Sequence, residues 1–109
     1  MYKSKKAKAT DIPMAVKKKV WERDSQCCIF CGSPNAAPNM HFIPRSHGGL
    51  GIEQNIGTGC QECHHKLDNT EHRAEMLVEF EIYLKSKYEN WNLSDLIYDK
   101  WKGYPLWFA

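Results

Sequence analysis

The sequence predicts a single small α+β domain, with two short strands and a helix at its centre and a helical segment on either side. Three observations carry this prediction. Two Cys-x-x-Cys pairs, Cys28 with Cys31 and Cys60 with Cys63, enclose a stretch of short extended segments broken by proline and glycine. After residue 70, apolar residues recur at helical spacing. A chain of 109 residues also buries only one modest core, so a metal or disulfide staple is expected to reinforce it.

The N-terminal part is expected to be a basic tail followed by a helix. Residues 1–9 are polar and rich in lysine, and we expect them to be flexible. The segment Thr-Asp-Ile-Pro at residues 10–13 is typical of a helix start. Apolar residues then recur every four positions as far as Val20. This helix is expected to end near Asp24.

The central part, residues 10–70, is expected to hold a hairpin and a helix. Residues 28–32 form a tight turn that presents two thiols and ends on a glycine. A first strand is expected at residues 40–43, where a following proline stops it. A second strand or an extended loop is expected at residues 52–56, and a helix from Cys60 onward. Together these elements make a hairpin with a long tip, followed directly by a helix.

The C-terminal part, residues 71–109, is expected to be a helix followed by an aromatic tail. The helix is predicted to extend to about Asn90. The apolar residues of the tail are numerous, which predicts packing on the body of the protein or on a second copy: Trp91, Leu93, Leu96, Ile97, Tyr98, Trp101, Tyr104, Leu106, Trp107 and Phe108. Because Asp95, Asp99, Lys100 and Lys102 interrupt them, a membrane role for the tail is disfavoured.

The four paired cysteines predict a structural zinc site. Thiolates two residues apart can wrap one Zn²⁺ in a tight turn, and two such turns complete a tetrahedron. The chain has five cysteines, so Cys27 competes with Cys28 for one ligand position. The two-residue spacing favours Cys28, which leaves Cys27 as a small buried residue. Free core cysteines and a redox pair are less favoured alternatives.

The terminus and the apolar content predict a cytoplasmic protein without a membrane segment. The basic start has no apolar segment behind it, unlike a secretory signal. No apolar run approaches the roughly 20 residues that a membrane span needs. Without secretion, metal ligation by the cysteines is favoured over disulfides.

The charge is unevenly distributed along the chain. Residues 1–23 hold eight basic and two acidic side chains, whereas the net charge of the whole chain is only +2. A basic front end on a nearly neutral body suits a polyanion such as DNA. A solubilising tail is the alternative for residues 1–9.

Six separated segments, in this order, resemble the four-cysteine HNH endonucleases of small phage and prophage type: Trp21-Glu22-Arg23-Asp24, Cys28-x-x-Cys31-Gly32, His41-Phe-Ile-Pro44, Gly48-Gly49, Asn55 and Cys60-x-x-Cys63-His64-x-Lys66. The resemblance covers about residues 12–70. It implies a ββα-metal fold and metal-dependent hydrolysis of DNA phosphodiester bonds, in one strand or in both.

The resemblance implies three catalytic positions. His41 is the expected general base, Asn55 the residue that ties the hairpin connection together and orients the base, and His64 the ligand of a catalytic cation such as Mg²⁺, Mn²⁺ or Ni²⁺. Asp68 lies four residues after His64, so spacing alone places both side chains on one helix face, where Asp68 could add an oxygen ligand.

One departure from the family concerns the residue before the base. The family commonly has Asp, Glu or His there, whereas this chain has Met40, a poor ligand for a hard cation. Either the site runs on His64, Asp68 and water, or the alignment is locally shifted, or activity is lost. The alternative function is therefore a catalytically inactive DNA-binding or adaptor module on the same zinc scaffold.

The expected contacts to DNA phosphates come from six basic residues, whose alternative is ordinary surface charge: Lys17, Lys18, Lys19, Arg23, Arg45 and Lys66. Contacts of this kind give salt-sensitive affinity with little sequence preference. Beyond DNA, the aromatic tail is expected to serve a homodimer or a partner in a phage complex.

Overall fold

The computed structural model describes residues 4–100 and confirms a small α+β architecture. Three short 3₁₀ turns, at Arg45–His47, Glu53–Asn55 and Leu93–Leu96, supplement the main elements. In chain order those elements are α1 Lys5–Thr10, α2 Met14–Arg23, β1 Ala36–His41, β2 Ile56–Cys60, α3 Gln61–Asn69 and α4 Arg73–Lys87.

The two strands form an antiparallel pair that runs directly into α3. Ala36 lies opposite Cys60 and His41 lies opposite Ile56, with an irregular register between Ala37 and Met40. A bulge of this kind bends a strand and redirects a side chain. Because α3 begins at the residue after β2, the strand pair and the helix form one continuous unit.

Both strands differ in extent from the prediction. The first begins at Ala36 and not at residue 40. The second begins at Ile56, where the predicted strand ends. Its two glycines are needed for packing: a Cβ at Gly57 would lie 2.8 Å from the Phe80 ring, and one at Gly59 would lie 2.6 Å from Met40 Sδ.

Part of the segment predicted as a flexible tail is helical, since Lys5–Thr10 forms α1. Thr10 therefore ends α1 and does not cap α2, which begins after Pro13. The amide of Gly51 donates to the Ala9 carbonyl at 3.0 Å. A Cβ at position 51 would overlap the backbone of Asp11, so glycine allows the N-terminal segment to lie against the loop between the strands.

The core lies between the strand pair and α4. Phe80 and Leu84 of α4 are fully buried, as are Met40 and Leu67. The ring of Phe80 meets Phe30 and Phe42 edge-on, with centroids 5.9 and 5.4 Å apart, an arrangement that adds to the energy of burial.

A buried ionic network fixes α2 to the rest of the fold. The Asp24 carboxylate accepts hydrogen bonds from Arg23, from the Thr58 amide at 2.8 Å and from the Tyr83 hydroxyl. The Arg23 guanidinium also donates to the carbonyls of Glu53 and Ile56, each at 2.7 Å. Burial alone would lower the pKa of Arg23, but its hydrogen bonds to Asp24 and to the Tyr88 hydroxyl raise it well above its ordinary value. Arg23 is thus a structural residue, which corrects its assignment to DNA phosphates.

The C-terminal helix is shorter than predicted, at Arg73–Lys87, and is followed by chain that packs on the body. The Trp91 indole donates to the Gln54 carbonyl at 2.8 Å, and its ring meets Phe42. Leu96 is buried. The remainder of the aromatic tail, residues 101–109, lies outside the described residues. Among the helices of residues 4–100, none has the length and apolar character needed to cross a membrane.

Replacing Asp24 with alanine is expected to lower the free energy of unfolding by about 3–5 kcal/mol, because it leaves the buried Arg23 charge without its carboxylate. Urea unfolding at constant metal content measures the loss. The matched control is Glu22→Ala, an exposed acid two residues earlier, which should change stability by less than about 0.5 kcal/mol. Equal losses in the two variants would contradict a structural role for the network.

Candidate functional site

Four thiols gather where the strand pair meets α3. The sulfur atoms of Cys28, Cys31, Cys60 and Cys63 all lie within 4.8 Å of one another, and three of the four residues are buried. Within residues 4–100, no other set of three or more His, Cys, Asp or Glu side chains comes this close. The cluster could hold a metal ion. Cys27 lies outside it and donates to the Asp24 carbonyl at 3.4 Å.

The environment of the cluster separates the acidities of its thiols. Burial opposes ionisation of Cys28, but backbone amides, including those of Cys31 and Cys60, lower its pKa to about 7. Burial and the neighbouring thiols instead raise the pKa of Cys63 far above its ordinary value. Several adjacent thiolates would repel one another, and a bound cation removes that obstacle by neutralising them.

His41 ends β1 and contacts the N-terminal segment. Its Nε2 lies 3.0 Å from the Thr10 carbonyl oxygen. Because a carbonyl can only accept a hydrogen bond, this contact puts the proton of the neutral ring on Nε2 and leaves the Nδ1 lone pair as the basic site. Helix α1 therefore selects the tautomer of His41.

The same surroundings keep the ring neutral. The pKa of His41 is lowered, chiefly because burial disfavours the charged imidazolium and further because of the charge of Arg45. The Thr10 and Asn39 carbonyls oppose this shift, whereas His64 adds to it.

Asn55 holds the loop that leads away from His41. It is fully buried. Its carboxamide oxygen accepts from the Ile43 amide at 2.8 Å, while its nitrogen donates to the carbonyls of Ile43 at 3.2 Å and Leu50 at 2.8 Å. The side chain therefore pins the two ends of the loop together directly after the histidine. Its contacts are structural, and it does not reach a cavity as a reacting group would.

His64 and Asp68 form a pair on one face of α3. The His64 Nε2 lies 3.2 Å from an Asp68 oxygen, and both side chains are partly exposed. Arg73 lies 3.9 Å from the other Asp68 oxygen. The two residues offer a nitrogen and an oxygen to a cation, but no third such side chain of the described chain joins them.

His41 and His64 line separate but adjoining cavities. The His41 cavity, of about 440 Å³, is also lined by Asp11, Lys17 and Arg45. The His64 cavity, of about 300 Å³, runs along Gly59 and the start of β1. Asn39 lies on the wall of both. The two histidines therefore line neighbouring cavities that have Asn39 in common.

Asn39 is the site residue that the sequence did not reveal. It is exposed and lies in the bulged part of β1. No hydrogen bond joins its carboxamide to another group within residues 4–100. Alternation along a strand places it on the same side as His41, a signal that the sequence contains, but the bulge that aims it between the cavities is a tertiary feature.

Met40 faces the opposite way. Its side chain is fully buried in the core. It packs directly against Gly59, in the space that a Cβ at that position would occupy. The position before the histidine therefore contributes to packing and offers nothing to either cavity.

The remaining basic candidates differ in their partners. Arg45 forms an ion pair with Asp11 at the His41 cavity. Lys19 lies 3.7 Å from Glu53, and Lys66 lies 3.3 Å from Glu62 on its own helix. Exposed pairs of this kind are weak and exchange readily. Lys17 is half-buried and lines the His41 cavity, whereas Lys18 is exposed.

The pKa of His41 is expected to lie below 6.5, measured from ring proton shifts in an NMR titration. Since the folded state then binds this proton more weakly than the unfolded chain, the stability contributed above pH 6.5 is lost as the pH falls toward the folded pKa. His41→Gln, which keeps a donor for Thr10, should show a flatter dependence of stability on pH in that window. An unchanged slope would contradict the shift.

No family model and no curated protein matches the chain. What can be proposed about its function therefore starts from its own residues and their arrangement.

Proposed function

We propose that this chain is a metal-dependent DNA endonuclease or nickase of the HNH type, with His41 as general base. One observation carries the proposal: two imidazoles, a carboxamide and two basic side chains surround a pair of adjoining open cavities at the end of a strand pair and the start of a helix. Hydrolysis of a phosphodiester needs an activated water and neutralisation of charge at phosphorus. The cavities bring together groups suited to both.

The thiol cluster supports a structural zinc. Zn–S bonds of about 2.3 Å in a tetrahedron place the sulfurs roughly 3.8 Å apart, and the Cys31 and Cys60 sulfurs lie 3.6 Å apart. That separation is far too long for a disulfide, whose sulfurs lie about 2.05 Å apart. Four thiolates also favour zinc over hard cations. In this role the ion stabilises the fold and takes no part in the reaction.

His41 supplies the base. Its neutral ring is favoured by burial. With the Nε2 proton donated to the Thr10 carbonyl, Nδ1 is the nitrogen that can accept a proton from water. The Thr10 carbonyl stabilises the imidazolium that forms after the transfer, since it accepts a hydrogen bond from Nε2 in both protonation states. Asn55 keeps the chain after His41 in place, so the ring does not have to be ordered when DNA binds.

The proposed cation ligands are His64 and Asp68, with Asn39 close by on the wall of the His64 cavity. A divalent cation bound there would neutralise charge on the phosphate and help the leaving oxygen. Two protein ligands suit Mg²⁺ or Mn²⁺, which retain several waters and take further oxygens from phosphate. The nitrogen of His64 also suits Ni²⁺.

Arg45 and Lys17 are placed to hold the phosphate beside His41. Arg45 is paired with Asp11 on the rim of the cavity, so a phosphate must compete with that carboxylate for the guanidinium. A bidentate phosphate contact is stronger than an exposed ion pair. The exchange is therefore favourable, and it would turn Asp11 away from the DNA.

The alternative is a catalytically inactive DNA-binding or adaptor module on the same scaffold. The burial of Met40 favours it, because the position that the family uses for a cation ligand is here turned into the core. Both proposals share the zinc and the basic surface, and they differ only in whether bonds are cut.

Plasmid cleavage in Mg²⁺, Mn²⁺ or Ni²⁺ separates the two proposals. His41→Ala is expected to lower the cleavage rate by about 10²–10⁴-fold, the usual contribution of a general base. The matched control is His65→Ala, since His65 is exposed on the same helix as His64 and contacts only Asn69 within the described chain. Its rate should stay within about twofold of the wild type. Cleavage unchanged in His41→Ala would remove the base, whereas DNA binding without cleavage in any cation would favour the inactive module.

Purified protein is expected to carry one zinc per chain, measured by elemental analysis. Cys60→Ser should reduce zinc content and lower Tm by roughly 10 °C or more, because a structural metal site contributes directly to folding. Cys27→Ser is the control: its sulfur lies outside the cluster, and its zinc content should match the wild type. Equal zinc content in both variants would contradict the assigned ligand set.

A further inference from the structure

A third cavity adjoins the two that hold the histidines. It is an open groove of about 320 Å³ between α2 and β1, at the lower end of the roughly 300–1,000 Å³ range of small-ligand sites. Its surface is mostly apolar. We call it the Trp21 groove, and its main lining residues are Met14, Lys17, Lys18 and Trp21 of α2 with Pro38 of β1.

The Trp21 groove is continuous with both other cavities. Lys17 lines the groove and the His41 cavity. Ala36 and Ala37 line the groove and the His64 cavity. A ligand whose charged group lies between the histidines could therefore place a neighbouring group in the Trp21 groove while staying in contact with the protein.

The charge on the rim of the groove is not neutralised. Within residues 4–100, neither Lys17 nor Lys18 forms an ion pair, whereas Lys19, Lys66 and Lys85 each lie within 4.0 Å of a carboxylate. Two free ammonium groups therefore stand beside an apolar, partly aromatic floor. At the edge of the groove, Met14 is 77% exposed. Contact with water does not stabilise an apolar side chain in this position.

An apolar floor beside unpaired cations fits a ligand that has a flat apolar face attached to phosphate. A nucleobase of unpaired DNA has that chemistry, since it stacks on aromatic side chains while lysines hold the backbone. A base within a duplex is stacked on both sides and paired, so it cannot enter a groove of this kind. A peptide or a second copy of the chain would use the apolar floor but not the cations.

We propose that the Trp21 groove binds a nucleobase next to the phosphate between His41 and His64, so that the preferred substrate is DNA with unpaired nucleotides. The inference rests on the proposed action on DNA and specifies its substrate class. Trp21 supplies the stacking face for the base. Lys17 holds the phosphate that links this nucleotide to the one whose phosphate reacts. Junctions, flaps, gaps and single strands are substrates of this class.

The test compares binding of a fluorescent single-stranded oligonucleotide with binding of a blunt duplex of the same sequence, without divalent cations. Trp21→Leu keeps apolar bulk but removes the aromatic face, and is expected to weaken single-strand binding at least about fivefold while duplex binding changes less than twofold. Trp21→Phe should restore most of the affinity. Near-ultraviolet circular dichroism and zinc content establish that each variant is folded.

The control variant is Ile82→Ala, which removes a 62% exposed apolar side chain on α4 and should leave both affinities unchanged. Equal weakening for the two DNA forms in Trp21→Leu, or no weakening in either, would overturn the groove assignment. So would a wild-type dimer, detected by light scattering, that Trp21→Leu dissociates, because the occupant would then be a second copy. Binding is measured separately from cleavage. If the protein does not cut DNA, a selective effect of Trp21→Leu on single-strand binding still supports the groove. If Trp21→Leu has no such effect, cleavage by the wild type still supports the nuclease.

Discussion

The gathering of four sulfur atoms at the junction of β2 and α3 is the constraint on which the rest of the site depends. Cys28 and Cys31 lie on the turn before β1, while Cys60 and Cys63 bracket the start of α3. Holding these two regions together fixes the first strand against the second and sets the direction in which α3 leaves the sheet. His64 directly follows Cys63 in the first turn of α3. The cluster therefore also fixes the position of this imidazole.

The other imidazole is positioned by buried polar groups at the far end of the strand pair. Asn55 closes the loop after His41, and the Arg23–Asp24 network joins α2 to β2 and α4. Such groups are costly to bury unless every hydrogen bond is made, so a fully satisfied set specifies one arrangement of the chain. The strand pair is thus held rigidly at both ends, by the thiol cluster and by these buried polar groups. The exposed residues between the two ends can therefore face solvent without packing onto the core.

The sequence predicted the features that depend on local spacing. The approach of the two thiols within each Cys-x-x-Cys pair and the i, i+4 relation of His64 to Asp68 follow from turn and helix geometry alone, and the structure has both arrangements. It failed where long-range packing decides. Glycine is locally unfavourable in a strand, and its presence in β2 is explained only by the close packing of Phe80 against Gly57. Helix α1 has too few residues to be stable without its contact to Gly51. Arg23 was misassigned because a sequence does not show which charges turn inward.

The direction of Met40 shows which side of β1 faces the core and which side faces the two histidine cavities. Alternation along β1 sends Met40 into the core, while Asn39 and His41 face outward. A carboxylate at position 40 would be buried among apolar groups beside Gly59, where its charge is strongly disfavoured. Polar side chains that line the two cavities must therefore come from the outward positions. The bulge between Ala37 and Met40 brings the Asn39 carboxamide to the boundary of the two histidine cavities, where it offers an uncharged oxygen.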